Sequence, residues 1–255
     1  MRSVTVLAVT SLLSLAFTAP AQAAGTVYAA LGDSYSSGVG APSQTGICLR
    51  SNHSYASRWA ARNNPATFQF LACSGATTDD VRAGQIPALK SGADLISITV
   101  GGNDAGFAPT VVTCLTASDS ACAAKVNQGK AYVANTLPGK LDATYAAIRA
   151  KAPGAKVIVL SYPLIFDTAA VICEMSVAKR KAINDGARVL DEMIEQRAEA
   201  AGFVYAEVRD EFSGHGVCSK SRYLNGLTIV PPQNSYHPNS SGYADGYLPA
   251  LSDAV

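Results

Sequence analysis

The chain has 255 residues, with 20 basic against 19 acidic side chains. A nucleic-acid-binding protein normally carries a basic face, and charge-driven attraction to anionic membranes needs clustered cations. No run of like charges occurs, so the composition argues against both kinds of partner.

The first 23 residues have the pattern of an export signal. Arg2 precedes an apolar run from Val4 to Phe17, and Ala21-Gln22-Ala23 supplies the small residues of a cleavage site. The run is shorter than the roughly 20 residues of a membrane-spanning helix, which leaves a buried N-terminal helix as the alternative. We therefore predict a signal peptide over residues 1–23. The mature protein is expected to be secreted, extracellular and monomeric, with no integral membrane segment and one domain over residues 24–255.

Five short apolar runs predict buried β-strands. They are continuous rather than alternating, which is typical of strands covered on both faces in a parallel sheet. The runs cover residues 27–31, 68–72, 95–100, 156–160 and 203–206, the last with a possible extension to 208.

Helical patterns separate these strands, and this alternation predicts an α/β fold. The helices are expected over residues 54–62, 125–150, 176–201 and 240–251. We expect the second helix to break at Pro138-Gly139. The segment 107–124 is interpreted instead as an insertion loop closed by a Cys114–Cys122 disulfide.

The mature chain contains six cysteines, an even number that suggests three disulfides behind an export signal. Fifteen pairings are possible, and we favour those between neighbours in sequence. A zinc site is the alternative, but no two cysteines have the two-to-four-residue spacing of such sites. The favoured pairs are Cys48 with Cys73, Cys114 with Cys122, and Cys173 with Cys218.

Polar, glycine-rich segments follow the first three predicted strands. They contain Ser34, Gly75 and Asn103 in turn. Ligands of open parallel sheets bind outside the carboxyl ends of the strands, so we expect these three residues to meet in one crevice. Each alone is a common turn residue.

A serine at such a position becomes a nucleophile only if a base takes its proton. Of the three histidines, His237 lies in a loop and precedes Pro238, which disfavours helical geometry. His53 and His215 lie close in sequence to cysteines, where structural or surface roles fit them better. His237 is therefore the candidate base for Ser34.

These residues together resemble the SGNH/GDSL hydrolase family, and particularly its secreted actinobacterial lipases, esterases and phospholipases. Gly32-Asp33-Ser34-Tyr35-Ser36 matches the nucleophile block, and Gly75, Asn103 and His237 match the other three blocks in order. The resemblance covers nearly the whole mature chain. It implies a three-layer α/β/α, flavodoxin-like fold with a five-stranded parallel sheet, three sequential disulfides, and no metal or organic cofactor.

The same resemblance implies a role for each matching residue. Ser34 is the nucleophile and His237 the base. The backbone N–H groups of Ser34 and Gly75, with the Asn103 side chain, form an oxyanion hole. Asp33 is expected to stabilise the turn rather than to react.

One position departs from the family pattern, because Asn234 stands where an aspartate usually orients the histidine three residues later. Asparagine cannot supply the negative charge that stabilises an imidazolium. Either the Asn234 side-chain oxygen orients the ring, or the backbone carbonyl of Ser235 accepts the Nδ1–H of His237 and leaves a Ser–His dyad. We favour the carbonyl.

The expected activity is hydrolysis of carboxylic esters by two-step acyl transfer, with a lipid or small ester as substrate. Phospholipase A1-type cleavage is one candidate. A polysaccharide acetyl-esterase and a non-catalytic secreted binding module are the alternatives. A base that is neutral at rest predicts that the rate falls below about pH 6.5, the pKa of a free histidine.

Overall fold

A computed structural model describes residues 25–255, so the predicted signal peptide lies outside the described residues. The strands of this part are β1 (Val27–Gly32), β2 (Gln44–Thr45), β3 (Arg50–Ser51), β4 (Thr67–Phe70), β5 (Leu95–Thr99), β6 (Lys156–Leu160) and β7 (Val204–Ala206). The α-helices are α1 (Ser34–Ser37), α2 (Tyr55–Asn63), α3 (Thr78–Asp80), α4 (Ile86–Ala88), α5 (Phe107–Thr116), α6 (Asp119–Asn135), α7 (Leu137–Lys151), α8 (Val177–Ala200) and α9 (Leu248–Ala254). Two π-helical turns (Val81–Gln85 and Gly242–Tyr247) and one 3-10 turn (Pro232–Asn234) complete the elements.

The main sheet has five parallel strands in the order β4-β1-β5-β6-β7. This is the flavodoxin-like arrangement, so the predicted fold class is confirmed. The chain passes from β1 to β4 on one side and then to β5 on the other. Strand order therefore reverses between β1 and β5, and ligands of such sheets bind at the carboxyl ends of the strands at this point.

Helices cover both faces of the sheet, as its strands require. Every residue of β5 is buried, and so is every residue of β1 after Val27. Helices α2 and α9 pack together, as do α6, α7 and α8. The Tyr28 ring lies between the rings of Trp59 and Phe68, with centroids at 4.8 Å and 5.1 Å.

The expectation of an insertion loop over residues 107–124 is wrong. Helix α5 and the start of α6 occupy this segment. The Ser118 side chain accepts a bond from Ala121 N–H and caps α6. The Cys114–Cys122 disulfide joins the two helices across this corner.

The predicted helix break is also displaced. Helix α6 ends at Asn135 and α7 begins at Leu137, so the break lies before Pro138-Gly139. Pro138 occupies the first turn of α7, where a missing backbone N–H costs no helical hydrogen bond. Within residues 25–255, no helix is both long and apolar enough to cross a membrane.

Candidate active site

Ser34 stands at the junction of β1 and α1, at the carboxyl edge of the sheet. Gly32 has a φ of +116°, and a side chain there would place its Cβ 2.3 Å from the Thr99 carbonyl oxygen. Only glycine fits this approach. The Asp33 carboxylate caps α1 by accepting the Tyr35 N–H at 2.9 Å, and Ser34 is the first residue of the helix.

Asp33 is buried and bonded within the turn. The Tyr162 hydroxyl donates to its second oxygen and accepts the Gly102 N–H at 3.1 Å. Burial raises the pKa of Asp33 to about 7, against the opposing effect of the hydrogen bond from Tyr162. These contacts join the turn that carries Ser34 to the segment that carries Asn103.

His237 lies against Ser34. Its Nε2 is 2.7 Å from Ser34 Oγ, and its Nδ1 is 2.9 Å from the Ser235 carbonyl oxygen. A carbonyl oxygen only accepts, so Nδ1 carries the hydrogen and Nε2 of the neutral ring accepts from the serine hydroxyl. The ring therefore has the tautomer that a general base for Ser34 requires.

Asn234 does not share this contact with the ring. Its Oδ1 accepts instead from Gln44 Nε2 at 2.8 Å. The loop that carries His237 also lies very close to Gly40, where an added Cβ would come 2.9 Å from the Cβ of His237. Gly40 has a φ of +93° and admits this approach because it lacks a side chain.

The surroundings of His237 change the expected pH dependence. Burial lowers the pKa of His237 to about 4, and the hydrogen bonds to the carbonyls of Ser235 and Gln233 oppose this only partly. The rate is therefore expected to fall at a pH lower than the 6.5 predicted from the sequence. His237 as a whole residue is only partly buried, so water still reaches it and the fall should come between 4 and 6.5.

We expect kcat/KM for a soluble ester to fall with an apparent pKa between 4 and 6.5, because this ratio reports the base of the free enzyme. Rates measured across this range with a non-ionising ester test it. An Asp33→Asn variant is the control, since Asp33 has a pKa of about 7 and its removal should leave the acid limb in place. An acid limb that disappears with Asp33 would contradict the assignment to His237.

The other two candidate residues, Asn103 and Gly75, lie next to the turn that carries Ser34. Asn103 Nδ2 donates to the Ala76 carbonyl at 3.0 Å, which leaves its second hydrogen for another acceptor. Cys73 N donates to the Gly32 carbonyl at 3.0 Å and fixes the segment before Gly75. Ser34 and Asn103 line one pocket, whereas Gly75 lines the neighbouring cavity.

Several contacts of the site were missed by sequence reasoning. The Tyr35 hydroxyl donates to the Tyr236 carbonyl at 2.7 Å, and its ring centroid lies 5.1 Å from that of His237. The Tyr243 hydroxyl donates to the Val39 carbonyl at 2.9 Å, just beyond α1. Tyr35 could have been singled out because it follows the serine directly, but no sequence signal marks Tyr243.

The remaining histidines make other contacts. His53 Nδ1 is 3.2 Å from an Arg58 guanidinium nitrogen. His215 stacks on the Tyr223 ring with centroids 3.8 Å apart. The three disulfides join Cys48 to Cys73, Cys114 to Cys122 and Cys173 to Cys218, which are the pairs between sequence neighbours.

An apolar pocket extends from Ser34 and Asn103 between helices α5, α6 and α8. Two glycines, Gly129 and Gly186, face it where α6 and α8 meet. Its apolar side chains include Phe107, Val111, Val126, Val133, Ile183 and Leu190. The apolar lining matches the hydrocarbon chain of an acyl group whose carbonyl lies at Ser34.

Comparison of the sequence with known proteins shows the family of this chain. Residues 30–244 match the GDSL-like Lipase/Acylhydrolase family. The chain belongs to this family. It is a carboxylic ester hydrolase, and the resemblance drawn from its four sequence blocks is confirmed.

Relatives of this GDSL hydrolase span nearly its whole length. It is 47% identical to Lipase 1 of Streptomyces coelicolor, over 98% of this chain and 95% of that protein. It is 46% identical to a lipase of Streptomyces rimosus, over 90% and 87% of the two chains.

Solved structures give the same result for the fold of this GDSL hydrolase. Phospholipase A1 from Streptomyces albidoflavus NA297 superposes with a TM-score of 0.88 at 44% identity, over 91% of this chain and all of that one. The extracellular lipase of Streptomyces rimosus gives 0.86 at 46% identity, over 90% of this chain and 100% of that chain.

Proposed function

We propose that this hydrolase cleaves acyl esters of lipids, phospholipids among them, with Ser34 as nucleophile and His237 as general base. The observation that carries the proposal is the 2.7 Å contact between Ser34 Oγ and His237 Nε2 at the mouth of an apolar pocket. An acetyl group would leave such a pocket empty, whereas a long acyl chain would bury apolar surface in it.

The proposed reaction has two acyl-transfer steps. His237 Nε2 takes the Ser34 proton as Oγ attacks the ester carbonyl, and the resulting imidazolium then protonates the departing alcohol. Water repeats the sequence on the acyl-enzyme and releases the acid. The Ser235 carbonyl, which accepts from Nδ1 at 2.9 Å, keeps the ring in the right orientation and stabilises the imidazolium as a dipole.

The negative oxygen of each tetrahedral intermediate needs donors. The proposal assigns this role to the N–H groups of Ser34 and Gly75 and to the Asn103 amide. Ser34 N lies at the start of α1, where backbone N–H groups point away from the helix. The bond from Asn103 to Ala76 at 3.0 Å keeps the amide in one orientation before substrate binds, which is what makes such donors effective.

We expect Asn103→Ala to lower kcat by on the order of 10²–10³, the usual cost of one oxyanion donor. KM should change little, because the donor acts mainly on the charge of the transition state. Steady-state kinetics on a soluble ester measure both constants. A large rise in KM at unchanged kcat would instead make Asn103 a substrate-binding residue.

The glycines of the pocket provide a test of where the acyl chain binds. A Cβ on Gly186 would lie 3.0 Å from Val126 Cγ1, so Gly186→Ala should narrow the pocket between α6 and α8. We expect the ratio of kcat/KM for palmitoyl over butyryl esters to fall about tenfold. Gly139→Ala is the control, because the position on α7 has open space around it. An unchanged ratio would argue against acyl binding there.

Phospholipase A1-type cleavage is tested with a phospholipid whose two acyl chains differ. The proposal expects the chain at the sn-1 position to be released first by the wild-type protein, with no release by Ser34→Ala. Release of acetate from acetylated xylan without action on long-chain esters would overturn the lipid proposal in favour of an acetyl-esterase.

Export of the chain is part of the same proposal, with residues 1–23 removed and residues 24–255 forming one domain. Three disulfides within the described residues support it, because such bonds form and persist in oxidising compartments. Mass spectrometry of the protein from a culture medium should give a mature chain that begins near Ala24.

A further inference from the structure

Two loops expose aliphatic side chains that the acyl-transfer chemistry does not use. We name them the apolar rim: Val171, Ile172, Leu227, Ile229 and Val230. Their exposed fractions are 97%, 89%, 54%, 83% and 84% in that order. Single exposed aliphatic residues are ordinary on protein surfaces, but a contiguous group marks an interaction site.

The two loops of the apolar rim are joined to each other. Leu227 N–H donates to the Glu174 carboxylate at 3.1 Å, which links the two loops. A disulfide also ties the first loop to Cys218, on the segment that precedes the second loop. The buried Arg180 guanidinium donates to the Ala170 carbonyl at 2.9 Å, directly before Val171. These hydrogen bonds and the disulfide hold the backbone of the two loops in a conformation that leaves the aliphatic side chains exposed.

The apolar rim is also joined to the active site. Thr228 N–H donates to Ser235 Oγ at 2.9 Å, and the carbonyl of the same Ser235 accepts from His237. Asn225 N–H donates to the His237 carbonyl at 2.9 Å. A surface that contacted the rim would consequently lie beside the catalytic loop.

The charges near the apolar rim fit a phospholipid surface. None of its five side chains is charged. The exposed Glu174 carboxylate lies beside the rim, with one oxygen 3.4 Å from the position of a Cβ on Gly226, where the Arg222 guanidinium offsets its charge. Lys220 and Arg222 are exposed on the segment that leads into the rim. An Arg222 guanidinium nitrogen lies 3.4 Å from the position of a Cβ on Gly226, next to Leu227. Cations bordering an aliphatic group match the phosphates that border the hydrocarbon of a bilayer.

We infer that the apolar rim docks this protein on the surface of a phospholipid aggregate and brings the Ser34 pocket to the acyl esters there. This inference rests on the proposed lipid substrate.

The test measures partition of the Ser34→Ala protein onto dioleoylphosphatidylcholine vesicles by co-sedimentation, so that the lipid is not consumed. Adding Ile172→Ser, Ile229→Ser and Val230→Ser should lower the partition constant by about tenfold or more, since three buried aliphatic contacts are lost. The control carries Val204→Ser and Val255→Ser, which replace exposed aliphatic residues outside the rim and should leave partition unchanged. A single Ile229→Glu variant should also lower the partition constant, which tests the rim independently of the triple variant.

Equal partition of the rim variants and the parent would overturn the inference. So would a parent that self-associates through the rim in sedimentation velocity but does not bind vesicles, because the rim would then join two copies of this chain. With Ser34 present, the rim variants should keep wild-type turnover of a soluble ester and lose activity only on vesicles. Absence of soluble-ester turnover in the wild type would refute the proposed function, while vesicle partition would still decide the role of the rim.

Discussion

Replacing Ser34 with alanine should lower kcat for a soluble ester by on the order of 10⁴–10⁶, as expected when a nucleophile is removed from a unit that acts together. The hydroxyl donates to His237 Nε2 at 2.7 Å. Among the described residues, no second hydroxyl or thiol contacts that nitrogen, so another nucleophile could not use the same base. Steady-state kinetics with a sensitive chromogenic ester measure the loss.

Ser37→Ala is the matched control for this change. Ser37 is a buried serine of the same short helix, and its hydroxyl donates to the Ser34 carbonyl at 3.3 Å. We expect a small loss of stability and nearly full activity. If Ser34→Ala kept more than a tenth of the wild-type rate while folding normally, the acyl-enzyme mechanism would be wrong.

His237→Ala should cause a loss of similar size, again on the order of 10⁴–10⁶ in kcat. Without the ring, no group takes the Ser34 proton or protonates the leaving alcohol. The cost of losing base and nucleophile together should be close to that of either alone, so the double variant should resemble each single variant. Kinetics of the three proteins on one ester test this non-additivity.

Asn234→Ala separates the two ways of orienting the ring. Because the Ser235 carbonyl accepts the Nδ1–H and Asn234 Oδ1 accepts from Gln44, we expect less than about a tenfold fall in kcat. The small fall would come from loss of the hydrogen bond from Gln44, which helps to position the loop that carries His237. A fall as deep as that of His237→Ala would make Asn234 the group that orients the base.

The fold was predictable because its strands have a strong local signal. Buried parallel strands are continuous apolar runs, and each predicted run overlaps one strand of the main sheet. The four sequence blocks predicted which loops approach one another, since parallel strands place their carboxyl ends at one edge.

Elements whose signal depends on packing were harder to predict. The α5 segment contains Thr110, Val111, Val112 and Thr113, whose β-branched side chains disfavour a helix locally. Packing against α6 and the disulfide at Cys114 override this preference. The pH dependence of the rate was also hard to predict, because burial of His237 shifts its pKa away from that of a free histidine.

The apolar rim lay outside sequence prediction for a related reason. Its residues occur in two loops far apart in the chain, with no periodic pattern to group them. The contact between Leu227 and Glu174 brings the two loops together. Exposed aliphatic residues in a single loop would otherwise be read as ordinary surface.

The most direct test of the central claim is to treat the folded protein with an alkyl phosphonate ester and to map the adduct by peptide mass spectrometry. The phosphonate reacts fastest with a serine whose proton is taken by a base, because the serine oxygen bonds to phosphorus and displaces the leaving group of the ester. We predict one adduct per chain, on Ser34, formed quickly in the wild type and greatly slowed in His237→Ala. An unmodified Ser34 in active protein, or an adduct on another residue that accounts for the loss of activity, would contradict the account.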